Sequence, residues 1–531
     1  MTGFGNGGDV RRRPTRMRGL TRRELRLVAD VAARIPRPVE PLEVAAVVES
    51  MGITDAIAVE DYDAETTFEL AERIFAPVRT VAAGQASNGN ASEHAGTRTL
   101  VRASATLAAS IRGATAITPL VILLTTAYAL GTAGWSAGSI LAFSLGVVAG
   151  MLVTGGPVFA LTRRISVYLV FDQRDFARAL LARGALLISL ALVCVSAAML
   201  AVSSWSNLFD ETERLIFAAT MAGSGMVWLL VAGVTAAGAP GWAGAALAGG
   251  LAAGSGVAWA MRGEVRTDAT LGLLAGVAVA LLLLAAAASR LYPRGREKIV
   301  LLPAGLLLLE AWPYALFGSG LIFFFVEPHV VGWLGSVPAD SSRVDAISSL
   351  ELSLLLALPP VMLATGVVER VFAEFWPAAE KFQQTGDRER FVVAVRRFHR
   401  SRQRRYLAVL GALSFVAAGL FELTHRAGWL ETWSPGASRL VFLSGLVAFF
   451  FFGWGQMNCL FILSLAKPGR ALTAISSGAA VVILLGVPLA LVDFRLAAPA
   501  FAVGAAVFAV TALAKSRTVM ANADYHYATA F

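Results

Sequence analysis

The sequence predicts an all-α polytopic membrane protein with a small helical domain ahead of the membrane part. The chain of 531 residues is 56% hydrophobic and only 15% charged. Its mean hydropathy of +0.66 is far above that of a soluble domain of similar length. From residue 113 onward the chain consists almost entirely of apolar segments of about 20 residues, the length that a transmembrane helix needs, with short polar breaks between them.

The first hundred residues divide into three parts. Residues 1–18 are rich in Gly and Arg and predict a disordered basic tail, either held on anionic lipid headgroups or serving as a positive flank. Residues 19–79 carry amphipathic patterns such as LTRRELRLVADVAARI, which predict a small cytosolic helical domain. Residues 80–104 are mostly small and polar and predict a flexible linker. No apolar run follows the N-terminal arginines, so no signal peptide is expected.

Twelve membrane spans are predicted, six in each half of the membrane part. The first half covers residues 105–288, the basic inter-half loop covers 289–300, the second half covers 301–515, and a cytoplasmic tail covers 516–531. An even number of helices in each half predicts parallel repeats related by an axis along the membrane normal. The spans are 113–133, 138–160, 183–203, 214–237, 241–261, 268–288, 301–326, 347–368, 406–422, 438–465, 470–491 and 496–514.

Lys and Arg in the loops predict the orientation, because positive residues are retained on the cytoplasmic side. With the N-terminus inside, the inner loops hold the basic clusters 163–178, 290–298, 370–405 and 467–470. The outer loops are sparse and lean acidic, and Glu327 is assigned to one of them. The sequence therefore predicts a multi-pass protein of the cytoplasmic (inner) membrane with both termini in the cytoplasm.

Several classes of protein lack their required residues here. The chain has neither a G-x-x-x-x-G-K-[ST] phosphate loop nor an H-E-x-x-H metal motif. Cys194 and Cys459 both fall in predicted helices, which favours neither a disulfide framework nor a cysteine metal site. A membrane glycosyltransferase is expected to carry a carboxylate in its first outer loop, and that loop here is GTAGWSAG. We therefore expect no enzyme activity and no cofactor, with energy drawn from an ion gradient, a partner or the fate of the cargo.

The C-terminal segment GQMNCLFILSLAKPGRALTAISSGAAVVILLGVPLAL has a distinctive order of features. Gln456 and Asn458 lie within an apolar helix, and the tight basic turn 467–470 leads into a new one. This order resembles the tenth and eleventh helices of the multidrug/oligosaccharidyl-lipid/polysaccharide (MOP) flippase superfamily. The segments LLLLEAWPYALFGSGLIFFF and ERVFAEFW are similar to the Pel-type exopolysaccharide transporters of that superfamily. The resemblance covers about residues 105–515 and leaves the N-terminal domain outside.

The resemblance implies a particular architecture and activity. Two six-helix halves would surround a central cavity lined by the first, second, seventh and eighth helices. Such proteins move lipid-linked sugars or polymers by alternating access.

The segment LLLLEAWPYALF is unusual because Glu310 and Pro313 interrupt an apolar run. A charge in the middle of a transmembrane helix costs about 2.5–3.5 kcal/mol on insertion scales, so such residues usually face a cavity or a partner. Glu310 is predicted near the membrane midplane, where Pro313 would leave the carbonyl of Leu309 without its helical donor. With Tyr314 on the same face and Trp312 nearby, these residues predict a cavity or coupling site for a cation or proton. The alternative is a structural Glu310 paired with a buried hydroxyl or an arginine.

The basic stretch 370–405 has three interpretations: a solvated basic face, a surface helix held by anionic lipid, and a clamp for a pyrophosphate or acidic headgroup. An apolar stripe at Phe391, Val395 and Phe398 favours a helix lying on the membrane. Nucleic-acid binding is not expected, because topology already explains the charge. The arginines singled out in this basic loop are Arg396, Arg397, Arg400 and Arg404.

Gln456 and Asn458 are two residues apart and therefore do not share one helix face. One of them could line a cavity. We expect both to join helices through hydrogen bonds, as polar side chains do in membrane bundles.

Together these features predict a secondary transporter or flippase that moves a lipid-linked saccharide or exopolysaccharide across the membrane by alternating access. One alternative is a cation-coupled exporter of small amphipathic compounds on the same fold, and another is a non-transporting membrane scaffold. A wide cationic cavity would favour phosphosaccharides, whereas a narrow acidic one would favour cationic compounds. The expected partners are membrane lipids, the cargo itself, and a glycosyltransferase or other export-complex proteins.

Overall fold

The structure is a computed structural model of the chain, and within its described residues the secondary structure is helical without a β-strand. The chain divides into two compact units, Met1–Ser104 and Ala105–Phe531. The first predicted span, 113–133, and the basic tail lie outside the described residues. The described residues are 20–34, 38, 40–88, 137–170, 173–206, 209–261, 265–292, 304–335, 342–365, 368, 371, 375, 378–379, 388–428 and 438–528.

The N-terminal unit contains four helices, α1 (Arg22–Arg34), α2 (Pro41–Ser50), α3 (Asp55–Tyr62) and α4 (Thr67–Asn88). The amphipathic patterns of the sequence produce their common core. Its most deeply buried apolar side chains are Leu27, Val28, Val31, Val44, Val48, Leu70, Ile74 and Val78.

Two polar contacts join the helices of this unit. The Asp55 carboxylate at the start of α3 accepts hydrogen bonds from the Thr67 backbone amide at 2.7 Å and from its hydroxyl at 2.8 Å. Arg73 on α4 donates to the carbonyls of Tyr62 and Asp63 at 3.0 and 2.9 Å. The helix continues to Asn88, so residues 80–88 of the expected linker are helical, because alanines at 82 and 83 continue the helical pattern. The rest of the expected linker lies outside the described residues.

The first half of the membrane unit contains five described helices. They are α5 (Ala137–Val170), α6 (Arg174–Ser206), α7 (Glu211–Ala236), α8 (Pro240–Ala260) and α9 (Val265–Leu291). The capping box at the start of α7 shows why it begins there, since the Asp210 carboxylate accepts from the Glu213 amide and the Glu213 carboxylate accepts from the Asp210 amide.

The second half contains six described helices and a short C-terminal one. They are α10 (Ala304–Gly335), α11 (Ser342–Ala357), α12 (Arg388–Arg426), α13 (Arg439–Ser464), α14 (Pro468–Val492), α15 (Ala497–Ala521) and α16 (Ala523–Ala528). After a bend at Leu358 the chain of α11 is helical again from 359 to 365.

Ten helices of the described residues are long and apolar enough to cross a membrane. They correspond to predicted spans two to seven and nine to twelve. The eighth predicted span corresponds to the shorter apolar helix Ser349–Thr365. The polytopic all-α fold is therefore confirmed, and the total of twelve spans stays a prediction because the first lies outside the described residues.

Three boundaries differ from the sequence prediction. The helix α12 joins the last part of the basic stretch 370–405 to the ninth span in one helix of 39 residues. The expected C-terminal tail is mostly helical, since α15 runs to Ala521 and α16 follows it. Glu327, assigned to an outer loop, lies inside α10. In each case helix-forming residues continue past a charge or proline at which the predicted span was ended.

Glycines allow α8 and α9 to pack with their backbones in contact. A Cβ atom built at Gly250, Gly254, Gly272 or Gly276 would lie 2.6–2.9 Å from a carbonyl oxygen of the opposite helix. Each pair of glycines is four residues apart, so both lie on one helix face. This is the small-residue packing that brings membrane helices close together in the absence of a hydrophobic driving force.

Aromatic side chains fill the centre of the second half. The Phe324 ring on α10 is fully buried and lies 5.4–5.9 Å, centroid to centroid, from the rings of Phe452, Phe501 and Phe508. These rings come from α13 and α15, so one side chain of α10 joins three helices.

Candidate functional site

The two halves meet mainly where α5 crosses α10, among the described residues. Small residues form the middle of this crossing, with Gly155 and Gly156 on α5 facing Gly318 and Ser319 on α10. A Cβ atom at Gly318 would lie 2.6 Å from the Phe159 Cβ and 3.1 Å from the Gly155 carbonyl oxygen. The two backbones are therefore in direct contact, and neither helix has room for a larger side chain at this point.

Toward one end of the crossing the contacts become aromatic and then charged. The rings of Phe159 and Phe317 lie 5.4 Å apart. One turn further, the Arg163 guanidinium lies 4.3 Å above the centroid of the Tyr314 ring, a cation–π contact.

The last contact in this series is an ion pair between Arg164 and Glu310. We call the whole series the inter-half contact, and its last two pairs the charged end. The charged end consists of Arg163, Arg164, Glu310 and Tyr314.

The depth predicted for Glu310 stays a prediction. In the structure Glu310 lies six residues, about 9 Å, from the start of α10 at Ala304. Its side chain is 62% exposed, and its partner Arg164 is 30% exposed. Exposed ion pairs contribute only about 0.2–1 kcal/mol, so this pair is a weak contact. The alternative to a coupling site was a structural Glu310 paired with a buried hydroxyl or an arginine. The partner is indeed an arginine, but the pair is not buried.

The other residues predicted with Glu310 take separate positions. Tyr314 lies in the charged end under Arg163. Pro313 sits inside α10, which continues through it. Trp312 is 50% exposed and lies on a different face of the helix. The structure therefore brings Glu310 and Tyr314 together, each in contact with one of two adjacent arginines of α5. In the sequence these arginines indicate only the orientation in the membrane.

Sequence reasoning missed a second carboxylate, Glu327, which the structure places deep in α10. It lies about 12 Å from the end of the helix at Gly335, at 1.5 Å per residue. Its side chain is only 2% exposed. Neither of its carboxylate oxygens has a hydrogen-bond partner in the part of the chain that the structure describes.

The surroundings of Glu327 combine apolar packing with an interrupted backbone. Phe324 and Val331, on adjacent turns of α10, are both buried within the second half. Pro328 lacks an amide hydrogen, so the carbonyl of Phe324 has no helical donor. The apolar residues 330–334, VVGWL, which follow Glu327, are the signal that could have extended the predicted span past it.

The two polar residues singled out in α13, Gln456 and Asn458, make different contacts. Asn458 is fully buried, its amide nitrogen donates to the Trp454 carbonyl at 2.9 Å, and its amide oxygen accepts from the Ser516 hydroxyl at 2.8 Å. Because Ser516 belongs to α15, this bond joins two helices. Gln456 is half-buried on another face.

The singled-out arginines of α12 also have different surroundings. The Arg396 guanidinium donates to the carbonyls of Met520 and Ala521 at 3.3 and 3.1 Å, and so satisfies the last turn of α15. Arg397, Arg400 and Arg404 are exposed.

The stripe at Phe391 and Val395 is buried within the protein, and the Phe398 ring packs 6.1 Å from that of Phe375. The expectation of a helix with this stripe on the membrane is therefore wrong, because protein and not lipid covers its apolar face. No group of three or more metal-ligating side chains is found among the residues that the structure describes.

No protein-family model and no curated protein sequence matches the chain. Solved structures do match its fold. The outward-facing conformation of a multidrug resistance MATE family transporter of the MOP superfamily matches with a TM-score of 0.56 and 13% identity, over 79% of this chain and 96% of that one. A MATE crystal structure in complex with MaL6 matches with a TM-score of 0.56 and 14% identity, over 79% and 97% of the two chains.

The inward-facing conformation of a multidrug resistance MATE family transporter of the MOP superfamily matches with a TM-score of 0.50 and 12% identity, over 76% of this chain and 96% of that one. At these identities the likeness shows the fold alone. The all-α membrane fold expected from the sequence is confirmed, whereas the twelve-helix count, the central cavity and the Pel-type branch stay predictions.

Proposed function

We infer that the chain is a secondary transporter that moves an amphipathic cargo across the membrane by alternating access. The observation that carries this proposal is the inter-half contact. Among the described residues the two halves are joined mainly by one helix pair, with small residues at its centre and a weak charged end. Solved structures of this fold have been described in outward-facing and inward-facing conformations.

The charged end supports the proposal because its contacts are easily broken. A cation–π contact contributes about 0.5–1 kcal/mol at an exposed site, and an exposed ion pair contributes a similar amount. Two such contacts give a free-energy difference between conformations that is small enough for a bound cargo or ion to reverse. Opening would separate the charged end, and the glycine pairs would remain as the surface over which the helices move.

Glu327 is the proposed coupling group. An ionised carboxylate buried without a partner is costly, so it must hold a proton or a cation in this conformation. Loss of that ion would favour a conformation in which water or another group reaches the carboxylate. The proline-freed carbonyl of Phe324 supplies a second oxygen ligand on the same turn.

Two cargo classes fit this proposal. We favour a lipid-linked saccharide or exopolysaccharide, with support from the sequence resemblance to Pel-type transporters, and a glycosyltransferase or other export protein as partner of the N-terminal unit. A cation-coupled exporter of small amphipathic compounds is equally compatible with the fold. The proposal includes an orientation suited to export. The protein would lie in the cytoplasmic (inner) membrane with both termini in the cytoplasm.

Transport in proteoliposomes tests the function and separates the cargo classes. Purified protein would be reconstituted and supplied in parallel with a fluorescent polyprenyl-pyrophosphate saccharide and with a cationic dye, under an imposed proton or sodium gradient. Movement of the saccharide lipid alone supports the flippase, and movement of the dye alone supports the exporter. If neither cargo moves in vesicles that contain monodisperse protein, the non-transporting scaffold becomes the better account.

A further inference from the structure

A group of polar and basic side chains outside the inter-half contact lies at one end of the second half. This is the end where α12 begins and α15 finishes, since Arg396 of α12 bonds to the last carbonyls of α15. At its centre is His399, whose side chain is only 3% exposed. The edge of its ring packs at 4.7 Å from the Phe461 ring, and its Nε2 has no hydrogen-bond partner among the described residues.

Two arginines from different helices flank this histidine. The His399 ring lies within hydrogen-bond reach of the Asn458 side chain, and Arg517 of α15 and Arg400 of α12 lie close enough to act on it electrostatically. Both side chains are exposed. The ion pairs of Glu422 with Arg426 and Arg439 lie at the opposite end of α12. No ion pair found among the described residues joins Arg400 or Arg517 to a carboxylate.

Two neighbouring arginines of α12, Arg396 and Arg402, differ because protein groups already engage them. Arg396 is held by the carbonyls of α15. The Arg402 guanidinium lies 5.0 Å above the ring of Phe398. Arg400 and Arg517 thus stand out from the general positive charge of this region, since each leaves its donors open beside a buried histidine.

The depth of these groups matches the headgroup layer of a bilayer. The 39 residues of α12 span about 58 Å, roughly twice the hydrocarbon core of about 30 Å. The apolar part of α12 begins at Tyr406, which places the backbone of Arg400 about 9 Å outside the hydrocarbon core. The headgroup layer is about 5–8 Å thick, so the long side chain of Arg400 can reach back into it. On the other side of the boundary, α12 exposes large apolar side chains, among them Phe415, Val416 and Leu420.

We propose that Arg400, Arg517 and His399 form a binding site for the phosphate of an anionic phospholipid. The two guanidinium groups would donate paired hydrogen bonds to the phosphate oxygens, which suits their planar geometry. The His399 ring would donate through Nε2 and so satisfy its unpaired nitrogen. Acyl chains would lie along the exposed apolar side chains of α12. A phospholipid, and not free phosphate, is therefore the ligand.

Binding of short-chain lipids to the full chain in detergent tests this site. The probes are dihexanoyl phosphatidylglycerol, dihexanoyl phosphatidylcholine below their micellar concentrations, and inorganic phosphate, each titrated by calorimetry. The test variants are Arg400→Gln combined with Arg517→Gln, and His399→Phe, which keeps an aromatic ring against Phe461. The control combines Arg404→Gln with Arg405→Gln, which removes the same charge from exposed positions of α12.

We expect phosphatidylglycerol to bind with preference over both other probes. Losing both guanidinium groups should weaken its binding by about a hundredfold, since each charge-assisted contact contributes on the order of a tenfold factor. His399→Phe should weaken it by several-fold, and the Arg404/Arg405 control should bind like the natural sequence.

Three results would overturn the proposal. Equal weakening by the control pair would mean that diffuse charge attracts the lipid. Equal affinity for inorganic phosphate would mean that the site binds free phosphate. Unchanged binding in the Arg400/Arg517 variant, with a monodisperse and folded sample, would place the lipid elsewhere.

Discussion

At the scale of single residues, the two acidic side chains of α10 exchange the roles that the sequence suggests. Glu310 interrupts a visible apolar run, yet its side chain is more than half exposed and pairs with an arginine. Glu327 is followed directly by proline, a pair typical of loops, yet it is buried inside the helix. Periodicity alone could not distinguish them, because the burial of a side chain depends on which helices pack around it.

Replacing Glu327 by Gln should abolish gradient-dependent transport while leaving the thermal stability in detergent equal or higher. The amide keeps the volume of the side chain but has one charge state, so it cannot distinguish two conformations by ionisation. Unfolding temperature and transport in proteoliposomes, measured on the same preparations, check this expectation.

The matched control is Glu310→Gln on the same helix. It removes a partly exposed ion pair, and the free energy of unfolding should fall by no more than about 1 kcal/mol. Transport that stays gradient-dependent in the Glu327 variant would contradict the coupling role of this carboxylate.

Asp55 in the N-terminal unit should make that unit sensitive to acid. Hydrogen bonds from the Thr67 amide and then from its hydroxyl hold the pKa of the Asp55 carboxyl below its usual value. The stabilisation is therefore present above the unfolded pKa of about 3.9 and is lost as the pH falls through the lower folded value. Hydrogen exchange of α3 and α4 in the full chain should show less protection in acid, and this pH dependence should be smaller in Asp55→Asn. An unchanged pH profile in that variant would rule out the contact as its cause.

At the scale of helices, the sequence predicts that a helix exists more accurately than it predicts where the helix begins and ends. Long apolar segments such as α13 and α14 are found within a few residues of their predicted bounds. The limits of α12 were missed because its arginines are typical of a loop, whereas they lie on about five turns of helix, Arg388 to Arg405, that lead directly into the span. The partners of each helix face were also not predictable, since a small-residue face gives no sign of which helix it meets.

Replacing Gly318 by Ala should weaken the inter-half contact. The added methyl group would lie 2.6 Å from the Phe159 Cβ, so α5 and α10 must separate. Gly305→Ala on the same helix is the control, because a Cβ there meets nothing within 4 Å and alanine favours the helix. We expect lower thermal stability and slower transport only in the Gly318 variant. Equal behaviour of the two variants would show that close approach at this crossing is not required.

Replacing Arg396 by Gln should loosen the end of α15. The carbonyls of Met520 and Ala521 would lose their charged donor, at a cost of about 1 kcal/mol or more. Hydrogen exchange in the last turn of α15 and in α16 should rise, while Arg397→Gln, an exposed neighbour, should leave it unchanged. Equal hydrogen exchange in the two variants would show that Arg396 does not cap α15.

At the scale of the whole molecule, the sequence predicts the helical membrane class from composition and the MOP fold from a loose resemblance, and the solved structures agree on that fold. The inter-half contact could not be predicted, because it depends on how two distant segments meet. Its charged end joins the two halves at one end of the helix crossing, and the proposed alternating access requires that this end open during each cycle.

Cross-linking the charged end tests this requirement most directly. The Arg164 and Glu310 side chains meet there, so Arg164→Cys with Glu310→Cys places two thiols within reach of a short bifunctional thiol reagent that contains a reducible disulfide. The two natural cysteines, exposed Cys194 and buried Cys459, would first be replaced by Cys194→Ser and Cys459→Ala. Each single variant, treated with the same reagent, is the control.

The measurement is the transport rate of the cross-linked double variant before and after reduction. We expect cross-linking to stop transport and reduction to restore it, while the single variants keep their rate throughout. A cross-linked protein that transports as fast as its reduced form would contradict alternating access through this contact.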